Sequence, residues 1–136
     1  MEYVMSVVQR SVVIGIVLTI GLGACAVNTQ PIYEVRNRQF VEQPDSLAVV
    51  SARIEQAARF LEWTTEVPSP GVLIASKRKG RKHAASVLVQ FDSRKFSIIN
   101  RDSLALDYDG ERIHKLYNRW VRELEAAIAR ELSLLQ

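Results

Sequence analysis

A chain of 136 residues, 24% of them charged, with a formal net charge of +3, suits one globular domain. The basic excess is too small to argue for nucleic acid as a partner. The single cysteine, Cys25, excludes an intramolecular disulfide.

The first segment reads as an export signal. Arg10 gives a positive flank, and residues 11–22, SVVIGIVLTIGL, form an apolar core of the length such signals use. Small residues, Gly23 and Ala24, then precede Cys25. The string Leu22-Gly23-Ala24-Cys25 resembles the bacterial lipobox: an aliphatic residue, two small ones and a cysteine. That resemblance implies a thiol diacylated on Cys25, cleavage before it, and acylation of the new amino group. Several acyl chains exceed the two signals that stable anchoring needs. Ala26 follows the cysteine where an Asp would favour inner-membrane retention, so enterobacterial sorting implies the outer membrane. The competing reading is an uncleaved membrane helix over 11–27, which is at the short limit for spanning and carries Gly15, Gly21 and Gly23. The n-region MEYVMSVVQR is unusually apolar and holds Glu2, as a start codon assigned too far upstream would produce.

Removal of residues 1–24 leaves about 110 residues, near the low end for an independent core. Residues 25–44 are expected to be the lipidated cysteine and a tether spanning roughly 25 Å as coil. Its apolar residues Ile32, Tyr33, Val35, Phe40 and Val41 suit partial docking on the domain assigned to 45–136. A helix is expected from Ser46 to Glu62, capped by Asp45 or Ser46. Val50, Ile54, Ala57, Ala58 and Leu61 fall at helical spacing. Pro68 and Pro70 keep the chain from continuing that helix.

Strands are expected at 71–78, 84–91 and 95–100. In the second, Ala85, Val87, Val89 and Phe91 alternate with Ser86, Leu88 and Gln90. Turns at Lys79-Gly80-Arg81 and Asp92-Ser93-Arg94 make the connections short and the pairing antiparallel. Residues 104–108, LALDY, suit a fourth strand or an extended packing segment. A last helix is expected from Asp109-Gly110-Glu111 onward, with Asp109 as cap. Ile113, Tyr117, Trp120, Leu124, Ala127, Ile128 and Leu132 form its apolar stripe. The expected fold is thus α+β. It is an antiparallel three-stranded meander, four-stranded if 104–108 pairs, flanked by an N-terminal and a C-terminal amphipathic helix.

Within residues 48–132, Phe96-Ser97-Ile98, Asp102-Ser103, Leu106, Tyr108, Ile113-His114, Tyr117-Asn118 and Trp120 form a pattern. It resembles a group of small uncharacterised proteobacterial lipoproteins. Those proteins tend to carry an aromatic residue near the position of Asn100, where this chain departs. The resemblance implies a lipid-anchored α-β-β-β-α domain and lends no activity.

Residues that could carry chemistry are few. Lys77, Arg78, Lys79, Arg81 and Lys82, at an expected hairpin tip before His83, suit lipid phosphates, lipopolysaccharide or another anionic polymer. They equally suit a solvated turn that protects a sheet edge. His114 and Asn118, one helical turn apart beside the apolar stripe, form a candidate polar surface site. Asp102, Ser103 and His114 contain the groups of a catalytic triad, but no G-x-S-x-G surrounds Ser103, so turn or capping roles fit better. His83 and His114 lack the i+3 or i+4 partner that a metal site on a helix uses. Tyr117 and Trp120 suit sugar stacking or, at their helical spacing, core packing.

No cofactor is implied. The expectation is a non-enzymatic envelope lipoprotein, held in the membrane by acylated Cys25 and facing the periplasm. It would contact an envelope protein or an anionic polymer. Two alternatives stay open. One is an accessory protein that binds or hydrolyses cell-wall glycan, which requires His114, Asn118 and Asp102 in one exposed cleft. The other is a binder of anionic lipid or lipopolysaccharide through the 77–83 hairpin.

Overall fold

The computed structural model describes residues 28–41 and 46–134. The expected signal segment 1–24, Cys25 and the candidate cap Asp45 lie outside the described residues. In chain order the elements are β1 (Thr29–Pro31), β2 (Val35–Gln39), α1 (Leu47–Phe60), β3 (Thr64–Ser69), β4 (Val72–Lys79), β5 (His83–Phe91), β6 (Lys95–Leu104), β7 (Arg112–His114) and α2 (Lys115–Ser133). β2–β6–β5–β4–β3 form an antiparallel five-stranded sheet, and β1 pairs with β7 in a separate two-stranded ribbon.

The α+β class and the antiparallel meander agree with the sequence. The strand count does not: five strands share the main sheet, not three or four. Both additional strands are edges, and edges are polar because only one side of their backbone pairs. β3 holds Pro68 and is almost wholly exposed, and β2, VRNRQ, buries Val35 alone. Neither carries the apolar alternation by which a strand is recognised.

The meander follows from period-two side-chain alternation. Leu73 and Ala75 of β4, Ala85, Val87, Val89 and Phe91 of β5, and Phe96 and Ile98 of β6 are all buried on one face. Val50, Ile54, Ala57 and Ala58 of α1 close over them, together with Tyr117, Trp120, Val121, Leu124, Ala127, Ile128 and Leu132 of α2. The opposite face, with Ile74, Leu88 and Ile99 in cross-strand register, is only partly covered.

Local chemistry sets the turns. Gly71 has φ +80°, and a Cβ there would lie 2.9 Å from the Phe91 carbonyl. Only glycine fits that close backbone crossing. Asp92 Oδ1 accepts from Arg94 N and Lys95 N at 2.7 and 2.9 Å, closing the β5–β6 turn. Asp102 and Ser103, expected as turn residues, lie within β6. The register of β5 with β6 jumps between Ser86 and Val87, whose partners are Asp102 and Asn100. The skipped Arg101 is a β-bulge, which breaks the alternation and hides the second half of the strand from a period-two reading. Leu104 ends β6, and residues 105–108 form no strand.

Helix α2 begins later than Asp109. The Asp109 carboxylate instead accepts from Glu111 N and Arg112 N at 2.9 and 2.7 Å. The chain then makes β7 before His114 caps the helix. Ile113 is buried as the stripe requires, but from a strand. Likewise α1 runs Leu47–Phe60, shorter at each end than 46–62.

Residues 28–41 are not a loose tether. Asn118 is completely buried. Its Oδ1 accepts from Tyr33 N at 2.8 Å, and its Nδ2 donates to the Pro31 carbonyl at 2.9 Å. Tyr33 Oη donates to Glu125 at 2.6 Å, and this bond to a carboxylate raises its pKa. Arg38 pairs with the same carboxylate, and the Arg122 guanidinium lies 4.5 Å from the Tyr33 ring centroid. The segment is therefore stapled along α2 at three levels.

Candidate anion-binding site

The basic run at 77–82 does not act as one patch. Consecutive strand residues point to opposite faces, so the run divides. Lys77 turns inward: its Nζ donates to the Leu61 carbonyl at 2.7 Å and sits 5.8 and 5.7 Å from the Trp63 and Trp120 ring centroids. It is a structural cation–π lysine and leaves the anion-binding set. Arg78 lies across from Ala84 and lines a shallow depression on the open sheet face with Ser76, Ser86 and Asp102. Arg81 and Lys82 are exposed in the turn. Lys79 alone joins a larger construction.

That construction is a cavity of about 450 Å³ where the β4–β5 hairpin meets the first turns of α2. Lys79 and His83 enter from the hairpin and Gln30 from β1. His114, Lys115, Leu116, Arg119 and Arg122 enter from the end of β7 and from α2. Lys115, Arg119 and Arg122 stand at i, i+4 and i+7, so one helix face presents all three. Ion pairs among the described residues join Arg36 to Glu34, Arg38 to Glu125, Arg53 to Glu131 and Arg59 to Glu55. None takes up Lys79, Lys115, Arg119 or Arg122. Four cationic side chains thus converge on one cavity, and no carboxylate lines it.

The two histidines meet at its wall, with ring centroids 6.1 Å apart and planes inclined by 29°. His114 Nδ1 accepts from Leu116 N at 3.0 Å, which assigns the neutral ring's proton to Nε2. His83 Nδ1 lies 2.9 Å from the Ala105 carbonyl. A carbonyl only accepts, so Nδ1 carries that proton. Among the described residues no third His, Cys, Asp or Glu joins the pair in a metal-binding group. Together these groups offer hydrogen-bond donors and positive charge, the chemistry that holds a phosphate or carboxylate.

The other sequence candidates separate. Asn118 is an internal clamp, not a surface residue, and His114 is a half-buried cap in the cavity wall. Asp102 and Ser103 line the depression near Arg78, while His114 lines the basic cavity, so no triad assembles. The cleft of His114, Asn118 and Asp102 required for glycan chemistry does not form either. Tyr117 and Trp120 are core residues. Trp120 stands edge-on to Trp63 at 6.3 Å, and burial raises the Tyr117 pKa. The site residues missed in sequence, Lys115, Arg119 and Arg122, carried one signal: basic side chains at helical spacing.

Comparison with protein-family models, with curated protein sequences and with solved structures finds no match for this chain. Among the described residues, no helix is long and apolar enough to cross a membrane.

Proposed function

We propose that the chain is a bacterial envelope lipoprotein of the small proteobacterial kind, cleaved before Cys25 and anchored there by lipid. Its domain is a non-enzymatic interaction module at the periplasmic face of the outer membrane. The observation that carries this reading is Leu22-Gly23-Ala24-Cys25 directly behind the apolar run 11–22. The fold is compatible with it: every described strand and helix begins after Cys25, so cleavage removes none of them. The convergence of four cations without a lining carboxylate favours an anionic partner, and this deepens the charge-reading alternative while moving it from the hairpin tip to the α2 cavity.

The test compares wild type with Cys25→Ser, expressed in a Gram-negative host, by intact mass and membrane fractionation. The expected result is a mature mass beginning at residue 25 plus acyl chains, in the outer membrane, lost in the variant. A full-length, unacylated protein in the inner membrane, indifferent to the substitution, refutes the proposal and makes 11–27 a membrane span.

A further inference from the structure

The basic cavity stands at the point where the chain enters the fold. Asn28 is the first described residue, and its carbonyl accepts from Lys115 N at 2.7 Å. Thr29 then pairs with His114, and Gln30 lines the cavity itself. Three residue steps separate Cys25 from Asn28. A fully extended chain gains at most ~3.6 Å per residue, so the two Cα atoms stay within roughly 11 Å of each other. An anchor on Cys25 therefore keeps Asn28, and with it β1, β7 and the start of α2 bonded to them, close to the bilayer surface. At physiological ionic strength charges act over a Debye length of about 8 Å, comparable with that span, so an anchor at Cys25 would bring the surface potential to bear on this end of the domain.

We infer that this cavity is a membrane-facing site that takes the phosphate of anionic lipid headgroups, with Lys79, Lys115 and Arg119 as its principal cations. The inference rests on the reading of Cys25 as the lipid anchor. Charge distribution supports it. Arg81 and Lys82 flank the cavity on the neighbouring turn. The nearby loop carries Asp107, Asp109 and Glu111, but none of them lines the cavity, and the Asp109 carboxylate accepts from the Glu111 and Arg112 amides. Lys95 lies at the opposite end of the sheet, beyond the nine residues of β5, a length of roughly 27 Å. The domain thus has a cluster of cations near its anchor and, in Lys95, an internal control far from it. The anchor supplies insertion, and the cavity would fix which face meets the membrane.

The test uses the acylated full-length mature protein, purified from membranes and placed in two vesicle types. One is phosphatidylcholine alone, and the other contains about 30% phosphatidylglycerol, a headgroup of the anionic kind that attracts surface lysines. A water-soluble amine-acylating reagent reads each lysine by mass spectrometry, and the intact mass first verifies the lipid on Cys25. The expected result is labelling of Lys79 and Lys115 slowed about fivefold on anionic vesicles relative to phosphatidylcholine, with Lys95 unchanged. Arg119→Glu, an exposed substitution on α2, abolishes that protection and leaves the melting temperature unaltered. Equal labelling on both vesicles, with the acylated mass verified, overturns the inference and leaves the anchor reading intact. An unacylated mass overturns the anchor reading and the inference with it. Equal protection by inorganic phosphate in detergent, without vesicles, overturns the lipid assignment in favour of a soluble anion.

Discussion

Asn118 holds the N-terminal segment to α2, and its replacement by leucine is the sharpest probe of that role. Leucine branches at the same carbon and is larger than asparagine, so no cavity opens, and any overpacking at this fully buried position adds to the loss. What is lost is one amide that accepts from Tyr33 N at 2.8 Å and donates to the Pro31 carbonyl at 2.9 Å and to Gln30 Oε1 at 3.4 Å. Two short bonds contribute about 1 kcal/mol each net, and stranding the backbone groups adds about 1 more, giving about 3 kcal/mol. For a domain of this size that lowers the melting temperature by roughly 12 °C. Asn118→Asp keeps the acceptor for Tyr33 N but turns an oxygen toward the Pro31 carbonyl, so it destabilises too. Urea unfolding measures the loss, and hydrogen exchange at the Tyr33 amide locates it. A loss below about 0.5 kcal/mol, with the Tyr33 amide still slow to exchange, would refute the clamp.

Lys77→Ala is expected to cost about 1–2 kcal/mol, because it removes the bond to Leu61 and the contact with two indoles. Arg81→Ala and Lys82→Ala in the same run should each change stability by less than about 0.5 kcal/mol, and equal effects in chemical denaturation would contradict the division of that run. Gly71→Ala places a Cβ against the Phe91 carbonyl at positive φ and should destabilise by about 1–3 kcal/mol; a melting temperature at the wild-type value would exclude the crossing. Leu124→Ala should cost about 2–5 kcal/mol by opening a cavity under α2, again read by denaturation. Asp92 and Asp109 accept backbone amide hydrogen bonds that hold both carboxyls below their ordinary 3.8. Their contribution is present in full above that value and is lost as pH falls through the lower folded values. Acid titration of Asp92→Asn/Asp109→Asn should accordingly lose less stability below pH 3.8 than wild type, and parallel curves would refute the assignment.

The core was legible because its signals are periodic. Val87 and Val89 alternate along β5, Trp120 and Leu124 stack along α2, and both patterns depend on neighbours close in sequence. Sequence reading fails where a residue's role is set from far away. Asn118 looks like a surface polar residue until Pro31 and Tyr33, more than eighty positions earlier, close over it. Lys77 looks like part of a basic tip until the two indoles claim it. β2 and β3 are strands because β6 and β4 offer them open edges, not because their own side chains demand it. The basic cavity has the same origin. Lys79 and Lys115 come from separate elements, and only the meander brings the hairpin to the start of α2.

The clamp and the cavity share one consequence under the lipid-anchor reading. A force on Cys25 reaches the fold first through β1, and β1 is joined to β7 and the first turn of α2, not to the five-stranded sheet. Its three residue pairs are few, so they would part readily were the next residues not held by Asn118, Glu125 and Arg122. The buried asparagine therefore does more than contribute stability. It keeps the path from anchor to cavity short. Without it, residues 28–33 could peel from α2 and lengthen that path by about 20 Å, at ~3.4 Å per released residue. That distance exceeds two Debye lengths at physiological ionic strength. A variant that loosens the clamp while the sheet stays folded should consequently weaken the cavity's hold on an anionic surface, although no cation has been removed.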